Sequence, residues 1–236
     1  MHPLSRRNFL FASSGAAAGT FAVAGVSEAQ AGSKLDFSNS GLVTGRPKPL
    51  KHQAIPGFLS AEQIAPHHTA HYGGALKAVT AADARLETAL KSGDAVDAAA
   101  FGQLKRLINS RGNSVVLHEM YFDGLAVKEV DPAQDVRSAV EKRFGSLEKW
   151  AADFTSSAKE AAGWALLVRH PVNGKLYNVV SDEHAMGLLW MAVPLVVIDV
   201  YEHAFYIDYQ HRKAEYVDKF VQHIDWNEAN ARFHTA

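Results

Sequence analysis

Apolar residues along this chain change period near its middle. Between residues 58 and 128 they recur at three- and four-residue steps, the helical period. "FLSAEQIAPHHTAHYGGALKAV" opens with Ser60 placed to cap a helix and Glu62 and Gln63 in its first turn. Pro66 comes early, where a helix tolerates proline best, or marks a kink. Helical pattern resumes through "AADARLETALKSG", where Gly93 predicts a stop. In "DAAAFGQLKRLINSRGNSVVLHEMYF", the residues Phe101, Leu104, Ile108, Val115, His118 and Phe122 fall on one stripe, interrupted by Arg111. His118 therefore shares a face with core residues. The two segments predict a helical hairpin.

Residues 129–236 read differently. "SAVEKRFGSLEKWAADFTSSAKEA" is helical. "GWALLVRHPVNGKLYNVVS" holds two short β-rich runs around Pro171-Val172-Asn173-Gly174, a hairpin turn. "PLVVIDV" predicts a third strand, apolar on both faces, and the stretch from Glu202 to about Arg232 is helical again. The expected fold is α+β: an N-terminal helical hairpin domain, residues 58–128, followed by a C-terminal α/β domain, residues 129–236, with a three-stranded antiparallel sheet.

Residues 32–57 are rich in Gly, Pro, Ser and Lys without an apolar period, and read as a linker or arm carrying no chemistry. Residues 1–31 read as an address: Arg6 and Arg7 precede Phe9 and Leu10, a Gly/Ala-rich apolar stretch follows, and Ala29-Gln30-Ala31 closes it as a small-x-small cleavage pattern. This is a twin-arginine export signal. The apolar part is too weak for a good spanning helix, so cleavage after Ala31 is expected, and with it a periplasmic or secreted protein that meets no membrane once cleaved.

The bulk numbers narrow the chemistry. With 24 basic against 25 acidic residues there is no broad basic field, and nucleic acid is not an expected partner. Loss of Arg6, Arg7 and Glu28 leaves 22 basic and 24 acidic residues. There is no cysteine, so disulfides and thiolate metal sites are excluded, and a bound metal must use nitrogen and oxygen ligands.

Twelve histidines make such a site worth seeking. His67, His71 and Ala75 share one helical face, and His118 sits on the inward stripe of the partner helix. Asp199 ends a buried strand, and His203 follows one turn into the next helix. A carboxylate buried there is costly unless paired or bound to a cation. Imidazole with carboxylate suits iron, manganese or zinc. Each residue also has an ordinary explanation. His-x-x-x-His arises by chance in a histidine-rich chain, His118 reads equally as a hydrogen-bonded core histidine, and Asp199 with His203 reads as a capping pair. Spacing alone leaves both readings open.

Asp199-Val200-Tyr201-Glu202-His203-Ala204-Phe205-Tyr206 closely resembles the signature of the iron/manganese superoxide dismutases, Asp-x-Trp-Glu-His-Ala-Tyr-Tyr. "LSAEQIAPHHTAHY" resembles that family's first-helix segment, "NSVVLHEMYF" its second-helix segment, and "GWALLV" with "NGKLYNVVS" its sheet; the likeness runs from about Pro56 to Arg232. The resemblance implies His67, His118, Asp199 and His203 as ligands of one iron or manganese ion per subunit, with superoxide as the small anionic substrate. It gives His184 a place beside the bound solvent, which leans toward iron or a metal-tolerant site, and it places Tyr201, with His184, in the catalytic pocket. It also implies a homodimer, in which Glu202 bonds the partner's His203 and His71 meets the partner's Tyr206.

The departures from the family pattern lie around the ligands. Ala75 stands where the family has a gateway tyrosine, Tyr201 replaces the signature tryptophan, Phe122 stands where tryptophan is frequent, and Ser114 where some members carry a solvent-bonding glutamine. The missing gateway tyrosine and signature tryptophan support one rival, a weakly active or non-catalytic metal-binding relative; a second rival is a non-haem iron oxygenase with two histidines and one carboxylate. Four protein ligands would argue against the oxygenase by closing positions it needs open.

Overall fold

Ser60 starts the first long helical run. Its hydroxyl accepts from the Gln63 N–H at 3.1 Å, capping helix α2 (Ala61–Pro66). Asp208 then holds Ser60 from across the fold, accepting from its N–H and hydroxyl at 2.7 Å each. The computed structural model describes residues 36–92, 97–187 and 189–235. The export signal and the Gly93 stop lie outside these residues. A short arm helix, α1 (Gly41–Thr44), precedes α2.

The helical run through the first histidines is not α-helical throughout. Residues His67–Tyr72 make a π-helical turn before α3 (Gly73–Ser92) continues. Pro66 brings no N–H to the ladder, so the pairing is already interrupted where the wider i→i+5 turn begins. His67 and Ala75 are buried, while His71 is exposed, its ring 6.2 Å from that of His67. Helix α4 (Ala98–Asp123) is capped by Asp97 and packs against α3 as the expected hairpin. Its burial is concentrated in the last three turns, from Ser114 to Phe122.

Helices α5 (Gln134–Phe144) and α6 (Leu147–Glu160) lead into the sheet. Strands β1 (Trp164–Arg169), β2 (Leu176–Ser181) and β3 (Val193–Asp199) lie in the order β2-β1-β3, all antiparallel. The Pro171–Gly174 turn closes the β1–β2 hairpin, with Gly174 at φ 65°. β1 is central and apolar on both faces, as a covered strand must be. Trp164 pairs with Ser181 on one side and Asp199 on the other, which sets Asp199 at the end of the sheet away from the Pro171–Gly174 turn. Helix α4 packs on β3, so the α+β plan shares one apolar core.

The region after β3 is not one helix. It breaks into a 3₁₀ turn (Glu202–Ala204), α7 (Tyr206–Tyr209), α8 (Lys213–Phe220), a second 3₁₀ turn (Val221–His223) and α9 (Trp226–Phe233). Gln210 ends α7 in a left-handed conformation, φ 52°, and Asp225 caps α9. His203 therefore stands in a tight 3₁₀ turn instead of an α-helix. No helix among the described residues is long and apolar enough to cross a membrane.

Candidate metal centre

Four side chains meet where the hairpin touches the end of the sheet. His67 comes from the π-helical turn, His118 from α4, Asp199 from the last position of β3 and His203 from the 3₁₀ turn. One nitrogen or oxygen from each lies within 4.8 Å of all the others, so the group could hold a metal ion. The Nε2 atoms of His67, His203 and His118 stand 3.1, 3.3 and 3.6 Å from Asp199 Oδ2. The side chains of His67, His118 and Asp199 are almost wholly out of water, and His203 is the outermost at 20% exposure.

The tautomer of His118 decides what the cluster is for. Its Nδ1 lies 2.7 Å from the carbonyl oxygen of Ser114, which can only accept, so Nδ1 carries the proton. A neutral ring then offers a lone pair on Nε2. That atom is buried and has no hydrogen-bond partner among the described residues. It faces a carboxylate oxygen that also brings only lone pairs. Burial holds His118 down at about 3, far from protonation at neutral pH. Two facing acceptors in a buried pocket suit a cation between them, and imidazole nitrogens with a carboxylate are suitable donors for iron or manganese.

Asp199 is held from behind. Its Oδ1 accepts from the Tyr201 N–H at 3.0 Å, and its backbone carbonyl accepts from the Tyr216 hydroxyl at 2.8 Å. Tyr121 reaches that phenol in turn, 3.0 Å from oxygen to oxygen. Burial acts to raise the Asp199 carboxyl, but the contacts of His203 and His67 outweigh it and keep the group well below the usual carboxylate range. Gln63 fixes the His203 turn by donating to the His203 carbonyl at 2.7 Å and accepting from the Ile207 N–H at 2.9 Å. Such supports lock ligand rings in place.

His184 and Tyr201 border the cluster. His184 Nδ1 accepts from the indole N–H of Trp164 at 3.0 Å, which leaves the proton of a neutral ring on Nε2. Its ring is 6.3 Å from that of His118 and 5.3 Å from that of Tyr201. The Tyr201 ring stacks on His203 at 5.2 Å. Burial lowers His184; Asp199 opposes this, and the charge of exposed Arg111 adds to it. Of the residues tied to a subunit contact, Glu202, Tyr206 and His71 are all exposed, and His71 stacks on His203 of its own chain at 3.8 Å. His203 borders an open surface cavity of about 740 Å³ shared with Tyr201, Glu202 and Tyr206.

Several residues that build the site escaped the sequence reading: Gln63, Tyr216, Tyr121 and Trp164. Nothing in their spacing distinguishes them from core residues; their polar atoms are satisfied only by contacts distant along the chain. The departures hold their places: Ala75 is buried, and Phe122 packs 4.9 Å from His67.

Residues 132–232 match the family described as iron/manganese superoxide dismutases, C-terminal domain. Superoxide dismutase [Mn] 2 of Haloferax volcanii is 30% identical over 191 residues, 80% of this chain and 94% of that protein. Superoxide dismutase [Fe] of Cupriavidus metallidurans is 38% identical over 185 residues, 75% and 90% of the two chains. Superoxide dismutase [Fe] of Aquifex aeolicus is 33% identical over 191 residues, 79% and 89%. These relatives, 30–38% identical, each cover three quarters or more of this chain, and on that ground it belongs to the iron/manganese superoxide dismutase family.

Proposed function

We propose that the chain dismutes superoxide, turning two superoxide anions and two protons into dioxygen and hydrogen peroxide, with one iron or manganese ion held by His67, His118, Asp199 and His203. The observation that carries this is the unpartnered Nε2 of His118 facing Asp199 Oδ2 across 3.6 Å. A bound ion supplies one-electron redox chemistry between its +3 and +2 states. The chain does the rest. Asp199 offsets part of the cation's charge, Ser114 fixes the His118 tautomer, and Tyr216 and the Tyr201 N–H hold the carboxylate in line. His184 keeps a proton on Nε2 next to the pocket, and Tyr201 with His203 forms the wall on the open side.

His118→Ala tests the assignment. The variant is expected to lose stoichiometric iron or manganese by elemental analysis and superoxide consumption together. Retention of one ion per chain takes His118 out of the ligand set.

The paired Arg6-Arg7 signal supports export to the cell envelope as a folded protein. N-terminal sequencing of envelope protein is expected to begin at Gly32, and a chain starting at Met1 there counts against cleavage. Exposed Glu202, Tyr206 and His71 around the open side of His203 support a homodimer, in which Glu202 reaches the partner's His203 and His71 the partner's Tyr206. Light scattering is expected to give twice the chain mass; a monomer at micromolar concentration contradicts this.

Ala75 and Tyr201 favour a second reading, a weakly active metal-binding relative. It differs from the first by a loaded protein that consumes superoxide no faster than the free ion.

A further inference from the structure

Glu119 follows His118 in the chain and is 8% exposed, yet the metal cluster does not use it. A carboxylate so placed must be satisfied locally, since an unpaired buried charge is costly. Its Oε1 accepts from the Gly41 N–H at 2.7 Å and from the Tyr72 hydroxyl at 2.8 Å. The Tyr72 oxygen accepts in turn from the Lys48 N–H at 2.7 Å. The Lys48 carbonyl accepts from His68 Nε2–H at 2.8 Å, and the Lys48 ammonium pairs with Asp123, the last residue of α4, at 2.6 Å.

These contacts form a closed circuit. Residues 40–48 of the arm cross both the π-helical turn and α4. On the π turn they hold His68, the neighbour of His67, and Tyr72; on α4 they hold Glu119, the neighbour of His118. Gly41 fits only because it has no side chain: a Cβ there would stand 2.8 Å from Tyr72 Oη and 2.9 Å from Leu76 Cδ2. Gly45, at φ 69°, returns its N–H to the Gly41 carbonyl at 2.8 Å and closes the arm helix on this spot. The arm, which reads in the sequence as a linker without chemistry, is thus tied one residue away from two of the four candidate ligands.

We propose that Glu119 is a positioning residue for the metal site, clamping residues 40–48 across the two helices that carry His67 and His118 so that the arm governs how fast the ion leaves. This rests on the assignment of those two histidines as ligands. The π turn is where bracing bears on the site, because the ladder leaves the α pattern at His67 itself. Loss of a supporting contact around a metal site typically weakens metal binding by about 10–100-fold.

The test is the rate at which a strong chelator strips manganese from the loaded full-length protein, with the melting point of the metal-free protein read alongside. Glu119→Ala is expected to release the ion about 10-fold faster. Glu119→Gln keeps an oxygen acceptor for both donors and is expected to release at nearly the wild-type rate. Tyr72→Phe removes only the hydroxyl through which Lys48 is linked to Glu119 and leaves the Gly41 bond to Glu119 in place. It is expected to reproduce the faster release, and to add little when combined with Glu119→Ala, since both break one circuit. Wild-type release rates in Tyr72→Phe and Glu119→Ala overturn the proposal, as does a lowered metal-free melting point with unchanged release. If Glu119→Ala fails to fold, Tyr72→Phe decides alone. His118→Ala separates the two claims: an ion still held there at one per chain refutes the ligand assignment itself, whereas normal release in the arm variants refutes only the clamp.

Discussion

At the scale of single residues, the centre is a problem in protonation. Burial keeps His67 low and His118 at about 3, against 6.5 for a free imidazole. Below pH 6.5 the unfolded chain therefore takes up protons that the fold refuses, and stability declines as pH falls toward the His118 value. Asp199 is also held low, so its contribution is present above the ordinary carboxylate range and is lost only in stronger acid. Both effects have the same sign. Chelator-stripped protein is expected to unfold at lower denaturant at pH 5.5 than at pH 7.5, and equal midpoints would contradict the buried neutral imidazoles. Ala75 belongs to this scale too: it is 3% exposed, so a tyrosine placed there must displace packed neighbours, and overpacking of that kind costs about 1–3 kcal/mol.

At the scale of elements, the loop between β2 and β3 carries His184 and turns on Gly187. Gly187 sits at φ 78°, and a Cβ there would run into the Val180 carbonyl oxygen. Ser181, whose hydroxyl lies against the Glu183 and Met186 carbonyls with one proton shared between them, holds the loop from inside. Gly187→Ala is expected to cost about 1–3 kcal/mol, read as a lower melting point, with unchanged metal content because no ligand lies on this loop. An unchanged melting point would show that the loop relaxes freely. Much of the element plan was legible beforehand. The strands followed from short β-rich runs and the Pro171–Gly174 turn, and the hairpin from the stripe through Leu104, Val115, His118 and Phe122. The π turn was not legible, because a wider turn changes pairing without changing which residue types are apolar. Nor were the breaks after β3: Gln210 takes a left-handed conformation that its residue type does not announce. Glu119 and the arm were missed because a buried acid looks like a surface acid until the distant Gly41 and Tyr72 are beside it.

At the scale of the molecule, the four converging side chains come two from the helical hairpin and two from the sheet end and the turn after it. An ion among them joins distant parts of one core, so binding is expected to reinforce the fold that creates the site. The likeness to both manganese and iron enzymes fits a donor set of three imidazoles and one carboxylate that serves either ion. The convergence of His67, His118, Asp199 and His203 was legible from the signature because it rests on residue identities, whereas the contacts that support them lie far apart along the chain. The most direct test is anomalous diffraction from a crystal of the metal-loaded protein, recorded at the iron and manganese edges. One peak per chain is expected, about 2 Å from Nε2 of His67, His118 and His203 and from Oδ2 of Asp199. A peak elsewhere, or none among these four atoms in protein shown to carry metal, would contradict the account.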